Sequence, residues 1–452
     1  MPQPTWPQYS IWWQLHPISF LGAPPTSTGP TSTGPAAGIA PQTVEHRLAR
    51  LEPWLDYLVG LGCNGLALGP IFASESHGYD TLDHYRIDPR LGDDEDFARL
   101  VEQCRARGVR LLLDGVFNHV GRGFPHFRDV LAHGRASRYA DWFRLDFDSP
   151  GKDGDGFGYD CFEGHRALVA LNHAEPEVME YVSDVMTRWL SHGADGWRLD
   201  AAYAVPRPFW RAVTDRCRRE HPRAWFLGEY IHGDYAAAVT EGGLDSVTQY
   251  ELWKSIWSSL NDRNFFELAW ALRRHNGYNA VMSPLTFVGN HDVTRIASRL
   301  TDERHLGHAL AILFTTGGIP SVYAGDEQAF RGTKYECADG DAEIRPAFPP
   351  EGPAGLAPFG RPFYRLHQDL IGLRRRHPWL AGAQTEVLHL ANSALAYRTA
   401  DPGSGAELVV LLNVADQPFS FPLDLSEASQ LLGSGGASAE RVAAHDWSIL
   451  KP

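Results

Sequence analysis

Four places in the 452-residue chain gather side chains able to move protons or hold a polar substrate. They are Asp114 with Asn118 and His119, Arg198 with Asp200, Glu229, and His291 with Asp292. Each group falls at the end of a short apolar run. Two carboxylates on one site, with no cofactor fingerprint nearby, suit cleavage of a glycosidic bond: one acid protonates the leaving oxygen and the other, ionised, attacks the anomeric carbon. Arg198 stands two residues before Asp200, hence on the same face of a strand, where its charge favours the ionised acid. A third acid raises its neighbour's proton affinity and can grip ring hydroxyls. His119, Asp200, Glu229 and His291 can also be drawn as metal ligands. No HExxH motif or short His/Cys spacing supports that, so neither a metal nor a cofactor is expected.

The elements that must position these groups read as repeated strand–helix units. Strands are expected at Ser10–Leu15, Asn64–Leu68, Val109–Val116, Asp195–Leu199, Ala224–Gly228, Ser246–Gln249, Pro284–Gly289 and Ile319–Tyr323. Helices are expected at Val44–Leu61, Asp93–Arg107, Pro176–His192, Pro208–Glu220, Phe265–His275 and Glu303–Thr315. Eight such repeats predict an α/β fold, a (β/α)8 TIM barrel, which places reacting groups at the C-terminal ends of its strands. The third repeat is swollen by a stretch rich in Gly, Asp and aromatics, the size of a subdomain. After Pro378 the pattern becomes alternating strands (Thr385–Arg398, Leu408–Val414, Phe419–Leu423), a small antiparallel β domain. The expected division is therefore barrel over 1–118 and 175–378, inserted subdomain over 119–174, and C-terminal domain over 379–452.

Several segments carry secondary expectations. Trp12 and Trp13 face opposite sides of strand one, so one belongs to the core and the other to the substrate pocket. A tandem TSTGP repeat at 26–35, within a Pro/Gly/Ser/Thr stretch over 23–41, follows the first strand and is expected beside the pocket, covering it or reaching a partner subunit. Residues 433–438 read as a second low-complexity loop. "KDGDGFGYD" (152–160) lacks the spacing of a calcium loop and reads as a solvated turn.

Composition narrows the classes. The net charge of −14 argues against nucleic-acid partners and anionic membranes. No apolar run approaches the ~18 residues of a membrane span, and no secretory signal opens the chain. Five scattered cysteines without CxxC spacing suit a reducing compartment, so a cytoplasmic location is expected.

Taken together, "DGVFNH" (114–119), "GWRLDAA" (196–202), the Glu of "LGEY" (Glu229), "FVGNHD" (287–292), "GGIPSVYAGDE" (317–327) and "HGYDTLDHYRIDPRLG" (77–92) resemble the α-amylase family of glycoside hydrolases, family 13. The resemblance implies that Asp200 is the nucleophile, Glu229 the acid/base and Asp292 the transition-state stabiliser. Tyr79 would stack under the sugar, Arg198, His119 and His291 would hydrogen-bond it, and Asp80 and Arg295 would both lie near its far hydroxyls. Other stretches, such as "GWRLDAAYAVPRPFW", are similar to the cyclomaltodextrinase, neopullulanase and maltogenic amylase group. That implies short or cyclic malto-oligosaccharide substrates (cyclic maltosyl-maltose among them), α-1,4 links with α-1,6 links as a second option, and a homodimer. Departures are the group's missing N-terminal domain, "LVALN" (168–172), Tyr230 where an acceptor-side Trp is usual, and Ala204 in place of a metal-binding His. A glucosyltransferase or isomerase of the same family and a non-catalytic binding barrel are the competing readings.

Overall fold

The computed structural model describes residues 4–24, 43–149, 151, 154–337, 340–433 and 441–452. The TSTGP repeat, most of the stretch around it, Lys152, Asp153 and most of the 433–438 loop lie outside the described residues, and so does what was expected of them.

Eight parallel strands form the centre: β1 (Trp12–Leu15), β2 (Gly65–Leu68), β3 (Arg110–Gly115), β4 (Gly196–Leu199), β5 (Trp225–Gly228), β6 (Ser246–Val247), β7 (Leu285–Phe287) and β8 (Ile319–Tyr323). Each pairs with its neighbours in order, and β1 pairs with β8. A parallel bridge from Thr248 to Leu285 joins the β6 and β7 edges and closes the sheet. This is the (β/α)8 barrel the repeats predict, with every expected barrel strand in place and trimmed by up to two residues at an end.

The strands read as almost unbroken apolar runs because both faces are covered. Inward residues Trp12, Leu112, Trp225, Leu227, Leu285, Phe287 and Ile319 form one cluster inside the barrel. Outward residues such as Trp13, Leu66, Leu111 and Val322 join the larger core under the helices. Trp12 stacks on Trp225 at 5.5 Å, and Trp13 packs on Trp54 and Phe20. Both tryptophans are sealed, at 0% and 1% exposure. The division expected of them, one in the core and one in the pocket, is corrected: both are core, on opposite faces of the sheet.

Local signals explain the helix starts. Asp93 caps the helix Asp94–Ala106 through a reciprocal box with Asp96. The helix expected over Val44–Leu61 begins instead as a 3-10 turn, Arg47–Leu51, and becomes α-helical at Glu52–Leu61, where Pro53 occupies the first turn. Helices at Tyr235–Thr240, Tyr250–Asn261 and Arg361–Arg376 add to the expected set.

Between β3 and the helix Pro176–Ser191, the strands His119–Gly121, His165–Ala170 and Cys161–Phe162 make a small antiparallel sheet. At the C-terminal end, five antiparallel strands lie in the order Gln384–Leu390, Ala394–Ala400, Glu407–Asn413, Asp446–Lys451, Ser429–Gly433. The single strand expected over Thr385–Arg398 is in fact a hairpin of two, turned where Ala391 N–H donates to the Ala394 carbonyl. All five cysteines are free, and no helix among the described residues is long and apolar enough to cross a membrane.

Candidate active site

Parallel register sets Arg198 of β4 beside Asp114 of β3 on one side and Leu227 of β5 on the other. Asp200 and Glu229 follow directly after β4 and β5, so four strand ends converge on one guanidinium. Arg198 Nη1 donates to Asp114 Oδ2 at 2.6 Å and to Asp200 Oδ1 at 3.1 Å. Its Nη2 lies 2.6 Å from Glu229 Oε1 and 3.8 Å from Asp292 Oδ2. Glu229 is fixed further by Tyr250, whose hydroxyl donates to Oε1 at 3.3 Å and accepts from Asn290 Nδ2 at 2.8 Å. The Ala201 N–H donates to Glu229 Oε2 at 2.9 Å. To do so Ala201 adopts a left-handed backbone, φ +43, a strained conformation for a residue with a Cβ. Below the acids a small cavity of about 20 Å³ is lined by Gln14, Leu112, Arg198, Glu229, Tyr250 and Asn290 among others.

On the other side of the acids, the rings of Tyr79 and His291 stack at 5.6 Å, with His16 near both at 6.1 Å. The Tyr79 hydroxyl donates to Asp114 Oδ2 at 3.1 Å and shares a short hydrogen bond with His291 Nε2. Asp292 is held from behind: Arg345 Nη2 donates to its Oδ1 at 2.8 Å, and Arg345 Nε donates to the His291 carbonyl at 2.8 Å. Asp341 accepts from the same Nη2 at 2.7 Å.

Burial dominates the electrostatics. It pushes Asp114 up to about 6 against the pull of Arg198, and it raises Asp200 well above the usual carboxylate range, with the Glu229 charge adding. His119 and His291 are both pushed down to about 3 by burial and are neutral near pH 7. Burial also opposes the Asp292 anion, yet its carboxyl is held below the ordinary range. At the low pH where Asp292 would take up a proton His291 is itself charged, and it, Arg345, Arg198 and Lys334 hold the carboxyl down. Five carboxylates, Asp341 included, thus face two guanidiniums. Asp114 and Asp200 retain a proton more readily than isolated carboxyls would, while Asp292 stays ionised.

Of the residues singled out in the sequence, Asp200, Glu229, Asp292, Arg198, Tyr79 and His291 come together. His119 acts one step back: its Nε2 contacts the Tyr79 carbonyl at 3.1 Å, and its ring stacks on Phe162. Tyr230 is buried, with its N–H on Thr248 Oγ1 and its ring edge-on to Tyr235. Asp80 and Arg295, expected near the sugar's far hydroxyls, have separate partners. Asp80 accepts from the Ser76 N–H at 3.0 Å and shapes the turn before Tyr79. Arg295 is fully buried and pairs with Asp326 at 2.8 Å, because the chain turns into the short helix Ile296–Arg299 directly after it. Arg345 and Asp341 stand at the site instead. Sequence reasoning missed them, together with Gln14 and His16; Gln14, two residues after Trp12 on the inward face of β1, was the one a strand alternation could have found.

The residues arranged to hold a metal ion lie outside this site. Among those described they are Asp302, His305 and His445, and His46, Asp93 and Asp96.

The geometry is matched by relatedness. The family model for the alpha-amylase catalytic domain matches residues 50–385. The chain belongs to the alpha-amylase family. The intracellular maltogenic amylase of Bacillus subtilis (strain 168) is 34% identical over 348 residues, 73% of this chain and 57% of that protein. The cyclomaltodextrinase of Geobacillus thermopakistaniensis (strain MAS1) is 30% identical over 443 residues, 95% of this chain and 73% of that protein. The chain therefore spans little more than half of the first relative's length and about three quarters of the second's. Among solved structures of alpha-amylase relatives, the ligand-free cyclic alpha-maltosyl-(1→6)-maltose hydrolase from Arthrobacter globiformis superposes with a TM-score of 0.79 at 25% identity, covering 99% of both chains.

Proposed function

We propose that this member of the alpha-amylase family is a retaining α-glucoside hydrolase of short or cyclic malto-oligosaccharides. The observation that carries the reading is the sharing of one guanidinium by Asp200 and Glu229, with Asp292 held ionised opposite them. In the first step Asp200 Oδ attacks the anomeric carbon as Glu229 gives its proton to the leaving glycosidic oxygen. In the second, Glu229 takes a proton from water, which displaces Asp200 and leaves the α-anomer. The incoming sugar repositions the proton that the crowded acids share: Asp200 must be ionised to attack, and Glu229 must carry it. Tyr79 offers a ring face to the sugar, His291 and Arg198 hydrogen-bond it, and Asp292 stabilises positive charge developing on the ring. His119 and Asp80 hold the loop that presents Tyr79.

The substrate class rests on the relatives, named as maltogenic amylase and cyclomaltodextrinase. Cleavage of α-1,6 links as well is supported by the likeness to an enzyme named for a mixed-link ring. A cytoplasmic location is supported by the relative named intracellular, and the homodimer by resemblance to the group alone. The test is a panel of linear, branched and cyclic maltosides, with proton NMR during the first minutes of hydrolysis. Early α product with preference for small or cyclic maltosides is expected. Early β product would remove Asp200 from the nucleophile's role.

A further inference from the structure

A second polar cluster sits where the barrel meets the C-terminal sheet, away from the acids just described. His305 ends the turn Glu303–His305 that leads into the helix Leu306–Thr315. His445 immediately precedes the strand Asp446–Lys451 and is one of the few non-glycine residues with a left-handed backbone, φ +53. The two are 140 positions apart, yet His305 Nε2 lies 3.0 Å from His445 Nδ1. Asp302 Oδ2 lies 4.0 Å from the first nitrogen and 3.8 Å from the second.

We propose that Asp302, His305 and His445 bind a divalent transition-metal ion, zinc in the first instance, that fastens the C-terminal sheet to the barrel. The triangle with edges of 3.0, 3.8 and 4.0 Å has a circumscribed radius of about 2.1 Å, the length of a zinc bond to imidazole or carboxylate. An ion at that distance would touch all three atoms but lie in their plane, so small side-chain shifts would lift it out of the plane and make room for a water as the fourth ligand. The tautomer of His445 is already arranged. His445 Nε2 faces Asp416 Oδ1 at 2.7 Å, which puts the proton on Nε2 and the lone pair of Nδ1 toward the ion, as in carboxylate–histidine–metal relays. With the site empty, His305 Nε2 donates to that Nδ1 at 3.0 Å, and an ion would displace this proton, leaving it to the Nδ1 of the same ring, which is buried without a partner. Asp302 Oδ2 accepts from Arg304 Nη2 at 2.6 Å and Nε at 3.2 Å, so an ion would share this oxygen with the guanidinium.

Two imidazoles and one carboxylate select a borderline metal over calcium or magnesium, which take oxygen ligands. Arg263 and Arg304 balance Asp302 and Asp416, so the cluster is close to neutral before an ion arrives. The Asp302 side chain, 18% exposed, leaves a route in from solvent. The neighbouring packing is already tight: a Cβ on Gly307 would come within 2.4 Å of Trp447 Nε1, and His308 Nε2 bonds to the carbonyls of Asn413 and Asp446. An ion here would add to folding stability rather than to catalysis.

The test uses the full chain, stripped with EDTA and dialysed against Zn²⁺. One equivalent should bind, and the melting temperature should rise by about 3 °C or more in excess zinc. Both effects should vanish in His445→Asn, chosen because Asn tolerates a left-handed backbone, and in His305→Gln. Both should survive in His46→Ala, which removes the other His/Asp cluster. Cobalt loading should give a tetrahedral visible spectrum that the first two variants lose. The hydrolytic rate at 25 °C should be equal in stripped and loaded protein. Should either variant fail to fold, Asp302→Asn replaces it, and uptake by the unaltered chain is decisive in any case. Failure to take up stoichiometric zinc, or uptake that persists in His445→Asn, overturns the proposal; neither outcome touches the assignment of the glycosidase site.

Discussion

Two arginines with buried carboxylates sit near the C-terminal ends of the barrel strands, and they work in opposite ways. Arg198 serves Asp114, Asp200, Glu229 and, more distantly, Asp292, beside a small cavity. Arg295 serves one acid, Asp326, in a sealed space beneath Tyr323 and Phe330. Gly289 admits that acid, because a Cβ there would come within 2.1 Å of Asp326 Oδ2. Charge is matched one for one at Arg295 and outnumbered at Arg198. Matched and sealed, an ion pair is scaffolding. Outnumbered, Asp114 and Asp200 hold protons more tightly than isolated carboxyls do, which keeps a proton within the site.

This contrast is broken most directly at its centre. Asp200→Asn and Glu229→Gln should each reduce turnover by at least about a thousandfold, roughly 4 kcal/mol of barrier, while the melting temperature holds or rises as a like charge is removed. Steady-state kinetics beside thermal melts would check both; near-normal turnover in Asp200→Asn defeats the mechanism.

At the matched pair the pattern should invert. Arg295→Met strands Asp326 and should cost about 3 kcal/mol of stability, with activity per folded molecule preserved. Denaturant titration and active-site counting would measure the two separately. Arg345→Met should instead cut kcat/KM by about 100-fold at little cost in stability, with partial rescue in Arg345→Lys, because its work is to keep Asp292 charged.

A smaller effect lies beside Asp326. Burial, with Asp326 adding, pushes Glu327 up to about 7, above its unfolded value near 4.5. The folded state thus binds this proton more tightly than the unfolded chain. Its contribution to stability is complete below about pH 4.5 and is lost as the pH rises toward 7, at about 1.4 kcal/mol per unit. Glu327→Gln should flatten that slope in denaturant midpoints taken from pH 5 to 8, and an unchanged slope would show that the carboxyl ionises freely. The smallest expected effect is none: EDTA should leave initial hydrolysis rates untouched, since the proposed chemistry needs no Lewis acid.

The barrel was legible because parallel strands covered on both faces spell themselves as apolar runs, and because the acids stand where those runs stop. The same logic failed where position along the chain and position in space part company. Arg295, three residues after Asp292, looked like a member of the site, but one turn of helix carries it into the core. Arg345 reaches Asp292 from a loop well beyond β8, with no periodicity to announce it. The hairpin at Thr385–Arg398 was read as one strand because its turn, Ala391–Ser393, has neither Gly nor Pro, and the weaker turn signal of Asn392 and Ser393 was passed over.

The stacked pair Trp12 and Trp225, 5.5 Å apart with ring planes within 4°, has an optical consequence. The rings belong to the first and fifth strands, which face each other across the barrel and share no hydrogen bonds. Two indoles held that close mix their excited states and give a paired circular-dichroism band that neither gives alone. The band exists only when the cylinder is shut, so its appearance during refolding would time closure separately from the formation of helix, with no label added to the chain.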